Sequence, residues 1–309
     1  MAVERMQATT GPVPGTPGSH GQRTRRDAPE MRRLVAVAVL TVLCVVAAGA
    51  VGPAARGATT PAAASGPDPS GRPMPVGDLP GWHQVFADNF ASDAYPIGSL
   101  TGCDMTGCTG TPRLRWGAVP DGHADTSGHC QYYPSRTVSF SGGVLDIFLH
   151  TEPGGTCLDA SLYPRDAAPM SFGRYSVRFR ADAVAGYKGI FFLWPVDHVH
   201  GEIDFPEADL DAPIHGFLHP LVNRPRFQRF VSTASWTSWH TATLEWTPAR
   251  VTFILDGVSL GTTRIGVPQT PMTLAVRGES QLLGAPRPPP AAQGRLQVDW
   301  VTIYSYAPG

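Results

Sequence analysis

His200-Gly-Glu-Ile-Asp-Phe-Pro-Glu-Ala-Asp209, HGEIDFPEAD, packs four acids into ten residues and sets Ile203 and Phe205 among them. A solvated acidic loop has no use for those apolar side chains, and a fully buried strand does not tolerate the acids. An alternating strand reconciles the two. Successive strand side chains point to opposite faces, so Glu202 and Asp204 share one face and Ile203 takes the other. Strict alternation would then return Pro206 to the acid face and turn Glu207 away. One extra residue at Phe205-Pro206, a β-bulge, brings Glu207 back. Proline suits that place because it cannot donate to a strand ladder and is tolerated at bulges. The stretch thus predicts a strand with an apolar core face and three carboxyl groups converging on the other.

Period-2 alternation recurs on both sides of it. In GGVLDIFLHT, Leu145, Ile147 and Leu149 share one face, with Val144, Asp146 and Phe148 on the other. GRYSVRFRA sets Tyr175, Val177 and Phe179 against Arg174, Ser176 and Arg178. ARVTFILDG alternates Val251, Phe253 and Leu255 and ends in Asp256-Gly257, the pair expected of a tight hairpin turn. GRLQVDWVTIYSY supplies a last strand, and GAPRPPPAAQG near 284–294 reads as a loop before it. No segment sustains a 3.6-residue apolar stripe. Many short strands between Gly/Pro turns predict an all-β sandwich or barrel over residues 77–309.

Upstream the composition changes. Met31-Arg-Arg, the apolar run LVAVAVLTVLCVVAAGAV over 34–51 and the small residues after it read as a secretory signal, with the true start expected at Met31. Residues 1–53 are therefore assigned to an extension and signal peptide. The same run is long enough to act as an uncleaved membrane anchor. Residues 54–76, AARGATTPAAASGPDPSGRPMPV, are expected to be a linker. With 24 basic and 25 acidic side chains, the chain shows no charge excess that would point to nucleic acid.

Past the linker stand Cys103, Cys108, Cys130 and Cys157. An even number in an exported chain argues for two disulfides. Cys103 with Cys108 is the natural local pair, leaving Cys130 with Cys157, although the sequence permits three pairings. Zinc is the rival use, with His129 nearby, but a second close-spaced Cys pair is missing.

Converging carboxylates repel, which costs stability unless something uses them. A carboxyl pair flanking a scissile glycosidic bond is one such use: one attacks the anomeric carbon and the other protonates the leaving oxygen. An acidic rim strand or a calcium site would use the same residue types. Trp194, Trp116 and Tyr132 are candidate stacking platforms for sugar rings.

The context of the acids resembles glycoside hydrolase family 16, the laminarinase, lichenase and agarase group. Its E-[IL]-D-x-x-E signature is matched by Glu202-Ile-Asp204-Phe-Pro-Glu207. The resemblance covers roughly 82–306 and includes WHQVFADNF, FGRYSVRFRA, GIFFLWP, IHGFLH, WHTATLEWTPARVTFILDG and LQVDWVTIYSY, in that order. It implies a concanavalin-like β-jelly roll with an open cleft and a retaining reaction through a covalent glycosyl-enzyme. Glu202 would be the nucleophile, Asp204 its helper and Glu207 the acid/base, with no cofactor for catalysis. It also implies a cleft position for His219 and a structural calcium ion held by Asp299. Two places depart from the family: Asp197-His198 stand where Trp-Pro is frequent, and Arg277 stands where a cleft glutamine is frequent. The expected substrate is a β-1,3- or β-1,3-1,4-glucan, with a galactan as the variant, and the expected state is a monomer. A transglycosylase would use the same acids. A non-catalytic carbohydrate-binding protein on this fold would usually have lost one or both glutamates.

Overall fold

The computed structural model describes residues 68–220, 227–282 and 284–309, all within the unit Thr60–Gly309. Two largely antiparallel sheets face each other. One runs from Val258–Thr263 through Arg250–Leu255, His240–Thr247 and Gly173–Ala181 to the long last strand Gln293–Tyr306. That strand pairs on its far side with Val144–Thr151 along its first half and with Trp82–Asp88 along its second. The other sheet runs Gln228–Val231, His215–His219, Glu202–Asp209, Tyr187–Pro195, Met272–Ser280, Cys157–Pro164 and Trp116–Ala118. Cys157–Pro164 also pairs with Val144–Thr151, so the two sheets join along one side. Among the described residues the one helix is the single turn Pro134–Thr137. The architecture is the all-β sandwich expected from the alternation, in the jelly-roll form implied by the family resemblance.

The predicted faces hold. Leu145, Ile147, Leu149, Tyr175, Val177, Phe179, Val251, Phe253 and Leu255 all enter the core between the sheets. They meet Phe191, Leu193, Ile203 and Leu218 from the acid-bearing sheet. Asp256 and Gly257 both have positive φ, 50° and 83°, as a tight two-residue hairpin requires. A second, small apolar cluster of Ile190, Phe192 and Ala275 lies apart from this core, with Tyr163 and Trp194 packed on it. It sits on the acid side of that sheet and forms the floor under the carboxyl groups.

Both expected disulfides form, Cys103–Cys108 across a two-stranded hairpin and Cys130–Cys157 beside the strand that joins the sheets. All four sulfurs are thereby unavailable as zinc thiolates. Of the expected linker, residues 68–76 are described, and they lie against the domain. Ser70 donates its N–H to Asp299 at 3.3 Å, Arg178 donates to the Ser70 hydroxyl at 3.0 Å, and Trp300 donates to the Arg72 carbonyl at 2.9 Å. The signal expected over 1–53 and the linker up to residue 67 lie outside the described residues. No described helix is long and apolar enough to cross a membrane.

Candidate active site

The acid strand Glu202–Asp209 starts at a glycine for a steric reason. Gly201 has φ +87°, and a Cβ there would come within 2.6 Å of Pro268. Along the strand, Ile203 pairs with Leu193 and Leu218, and Asp204 pairs with Phe192 and Phe217. The next pairs are Glu207 with Ile190 and with His215. Three residues advance here against two on each neighbour, which is the one-residue bulge expected at Phe205-Pro206. The Phe205–Pro206 peptide is cis, and Phe205 packs against Phe253 with ring centroids 5.6 Å apart. Ile203 and Phe205 thus anchor the strand to the core while Glu202, Asp204 and Glu207 face away from it.

Asp204 is the buried centre, 1 % exposed. Its Oδ2 pairs with His219 Nε2 at 2.9 Å. Its Oδ1 is buried with no donor among the described groups, and the Glu202 carboxyl is its hydrogen-bonding neighbour. Two carboxyl groups this close, one with a buried oxygen that lacks a donor, favour a proton on one of them. Burial raises Asp204 well above the usual carboxylate range, with the Glu207 charge adding to it. Burial and the Asp204 charge push Glu202 up to about 8.

The shift of Glu202 predicts a pH dependence of stability. Folded Glu202 keeps its proton to about pH 8, whereas the unfolded chain releases it near the ordinary glutamate value of 4.5. Between those values the unfolded state binds fewer protons, so this group's contribution to stability falls as pH rises. Glu202→Gln removes the contribution. The melting temperature of the variant minus that of the wild type is expected to grow by about 5 °C from pH 5 to pH 8. A difference that does not change with pH would show that Glu202 is ionised throughout.

Glu207 has a different environment. Its Oε1 accepts from Lys188 Nζ at 2.9 Å, and the same ammonium reaches Glu279 Oε1 at 3.2 Å. The Lys188 side chain is 6 % exposed and that of Glu279 is 1 % exposed. Burial opposes the Lys188 charge, but the two glutamates outweigh it and hold the ammonium above its ordinary range. Burial likewise opposes the Glu279 charge, and Arg277 and Lys188 outweigh it. Glu279 also accepts from Thr126 at 2.6 Å and from Tyr132 at 2.8 Å. Arg277 completes the group: it bonds Ser161 at 3.0 Å and lies over the Phe192 ring at 4.4 Å.

The structure brings together Glu202, Asp204, Glu207, His219 and Arg277 as the sequence reading requires, and Trp194 joins them at the edge. Trp194 is half-buried on the apolar floor and donates to His198 at 2.8 Å. Two expected platforms are corrected. Trp116 is 0 % exposed, packed between Phe86 and Phe90, with its indole N–H donated to Asp88 at 2.9 Å. Tyr132 is buried too, its ring 5.4 Å from the Arg277 guanidinium carbon and its hydroxyl committed to Glu279. Both faces are covered by protein and offer no surface to a sugar. Lys188 and Glu279 were missed by the sequence reading. The available signal was a lysine in the apolar run GYKGIFFLWP, and a glutamate two residues after Arg277 on the same strand face.

Asp299 lies buried on the last strand beside Ser70. Its carboxylate accepts the Ser70 N–H, and the Arg178 cation and the Asp68 carboxylate lie within electrostatic reach. An amide donor and a guanidinium do not fit a calcium ion, which takes six to eight oxygens. Two groups of possible metal ligands converge elsewhere among the described residues. One comprises Asp125, Cys130 and Asp159, but Cys130 is spent in its disulfide. The other comprises Asp204, Glu207 and His219, where Asp204 Oδ2 pairs with His219 and Glu207 Oε1 with Lys188.

Residues 165–302, which include all three acids, match the family described as glycosyl hydrolases family 16. The beta-glucanase of Rhodothermus marinus is 25% identical over 186 residues, which are 53% of this chain and 65% of that protein. The chain thus spans less than two thirds of that relative's length. A non-specific endo-beta-1,3(4)-glucanase from family GH16 shares the fold with a TM-score of 0.58 at 20% identity, over 75% of this chain and 94% of that one. The laminarinase from Rhodothermus marinus gives a TM-score of 0.58 at 20% identity, over 74% of this chain and 99% of that one. Fold and acid strand agree with the family match: residues 165–302 carry a domain of the glycosyl hydrolases family 16 type.

Proposed function

We propose that this protein is an exported, endo-acting hydrolase that cleaves β-1,3- or β-1,3-1,4-glucan with retention of anomeric configuration. The observation that carries the reading is the bulge at Phe205-Pro206, which sets Glu202 and Glu207 on one face with Asp204 between them. In the first step a Glu202 oxygen bonds to the anomeric carbon, the bond to the glycosidic oxygen breaks, and Glu207 gives that oxygen its proton. Glu202 attacks in the microstate where the shared proton rests on Asp204. In the second step Glu207, now a carboxylate, takes a proton from water as the water oxygen displaces Glu202. Trp194 would offer its exposed edge to a sugar ring beside the acids, and His219 would hold Asp204 in place.

The glucan preference draws on the β-glucanase and laminarinase relatives, and export draws on the charged and apolar pattern of residues 31–51. The decisive experiment measures new reducing ends released by the full chain from laminarin, lichenan, agarose and carrageenan. Release from laminarin or lichenan is expected. Release from agarose or carrageenan alone would replace glucan by galactan. Binding to one polymer with release from none would sink the hydrolase and favour a carbohydrate-binding protein. The same assay with added oligosaccharide acceptors separates hydrolysis from transfer.

A further inference from the structure

The ion pair under Glu207 carries a consequence for how that residue works. Lys188 lies in register with Glu279 on one neighbouring strand and with Asp209 on the other, so it rises on the acid side of the sheet. Its ammonium bridges Glu207 Oε1 at 2.9 Å and Glu279 Oε1 at 3.2 Å. Glu279 cannot swing away, because Thr126, Tyr132 and Arg277 hold its other oxygen. Glu207 is also faced by Glu202, Asp204 and Asp209 from its own strand and by His215 from the next. Arg277 stands on the strand that carries Glu279, and Arg229 contacts His215. Among the described residues, Lys188 alone forms an ion pair with Glu207.

We propose that Lys188, anchored by Glu279, is a positioning residue that holds one oxygen of Glu207 and presents the other to the glycosidic oxygen. The inference rests on the reading of Glu207 as the acid. With Oε1 taken by an ammonium that has only protons to offer, the transferable proton resides on Oε2. As it passes to the departing oxygen, the carboxylate left behind is met by a cation already in place. No side chain has to reorganise at that moment, which is the condition under which such a charge acts most strongly.

A leaving-group comparison tests this. Phenol departs from a sugar only with help from an acid, whereas 2,4-dinitrophenolate departs without it. For phenyl β-laminaribioside, Lys188→Met is expected to lower kcat/KM about 100-fold, the lower end of what a general acid contributes. For 2,4-dinitrophenyl β-laminaribioside the loss in kcat/KM, which reports only formation of the glycosyl-enzyme, is expected to stay below about 5-fold, because that step needs no proton transfer there. An equal loss on both, or none on either, in a variant with native circular dichroism would overturn the role. If Lys188→Met does not fold, Lys188→Gln decides the matter: it keeps a polar group between the two carboxylates but removes the cation. The same selective loss supports the proposal, and a uniform loss overturns it. Wild-type protein that cleaves neither glycoside and no polymer would sink the hydrolase reading itself, and this inference with it.

Discussion

Glu202→Ala is expected to reduce release of reducing ends from laminarin by about 10⁴-fold or more, the scale on which removal of an attacking group is felt. The reason is geometric as well as chemical. Glu202 enters the strand directly after Gly201, pairs with His219 and touches Asp204, so no other carboxyl group can take its place on that side of the sugar. Added azide distinguishes its role from that of Glu207. With 2,4-dinitrophenyl β-laminaribioside, azide entering from the side vacated in Glu202→Ala should give the α-glycosyl azide. In Glu207→Ala the glycosyl-enzyme still forms on Glu202, and azide displacing it from the opposite face should give the β-glycosyl azide. Near-native activity in Glu202→Ala, or the two anomers exchanged between the variants, would reverse or remove the assignment of roles.

The second large effect is on stability. Trp116→Ala should cost about 3–5 kcal/mol, the range for removing a fully buried Trp. In a domain of this size that is about 10 °C of melting temperature. The loss combines a cavity between Phe86 and Phe90 with an Asp88 oxygen deprived of its indole donor at 2.9 Å. KM for laminarin, measured on the folded fraction at low temperature, should not change. A raised KM with an unaltered melting curve would return Trp116 to the cleft and contradict its burial.

Those two expectations divide along what can be read from one sequence. The bulge was legible because parity is a local property. Counting side chains along Glu202–Glu207 shows that one residue must be extra, and proline marks where a strand can hold it. The core faces of the strands beginning at Val144, Gly173 and Arg250 were legible for the same reason. Trp116 and Tyr132 were not, since an aromatic ring suits a core and a sugar platform equally well. Only the layer that closes over them settled the matter, Phe86 and Phe90 in one case and Arg277 in the other.

The amino-acid order by itself determined the all-β class, the alternation of faces and the bulged acid strand, because each depends on neighbours a few residues apart; it left three cysteine pairings open, and the structure selects Cys103–Cys108 and Cys130–Cys157. The tertiary structure alone decided which cation meets which acid. Lys188, Glu207 and Glu279 come from three separate strands. Their contact is fixed by strand order and register, set by burial across the whole sandwich. No local pattern encodes that register, so the group that holds the proposed acid became visible only once the sheets were assembled.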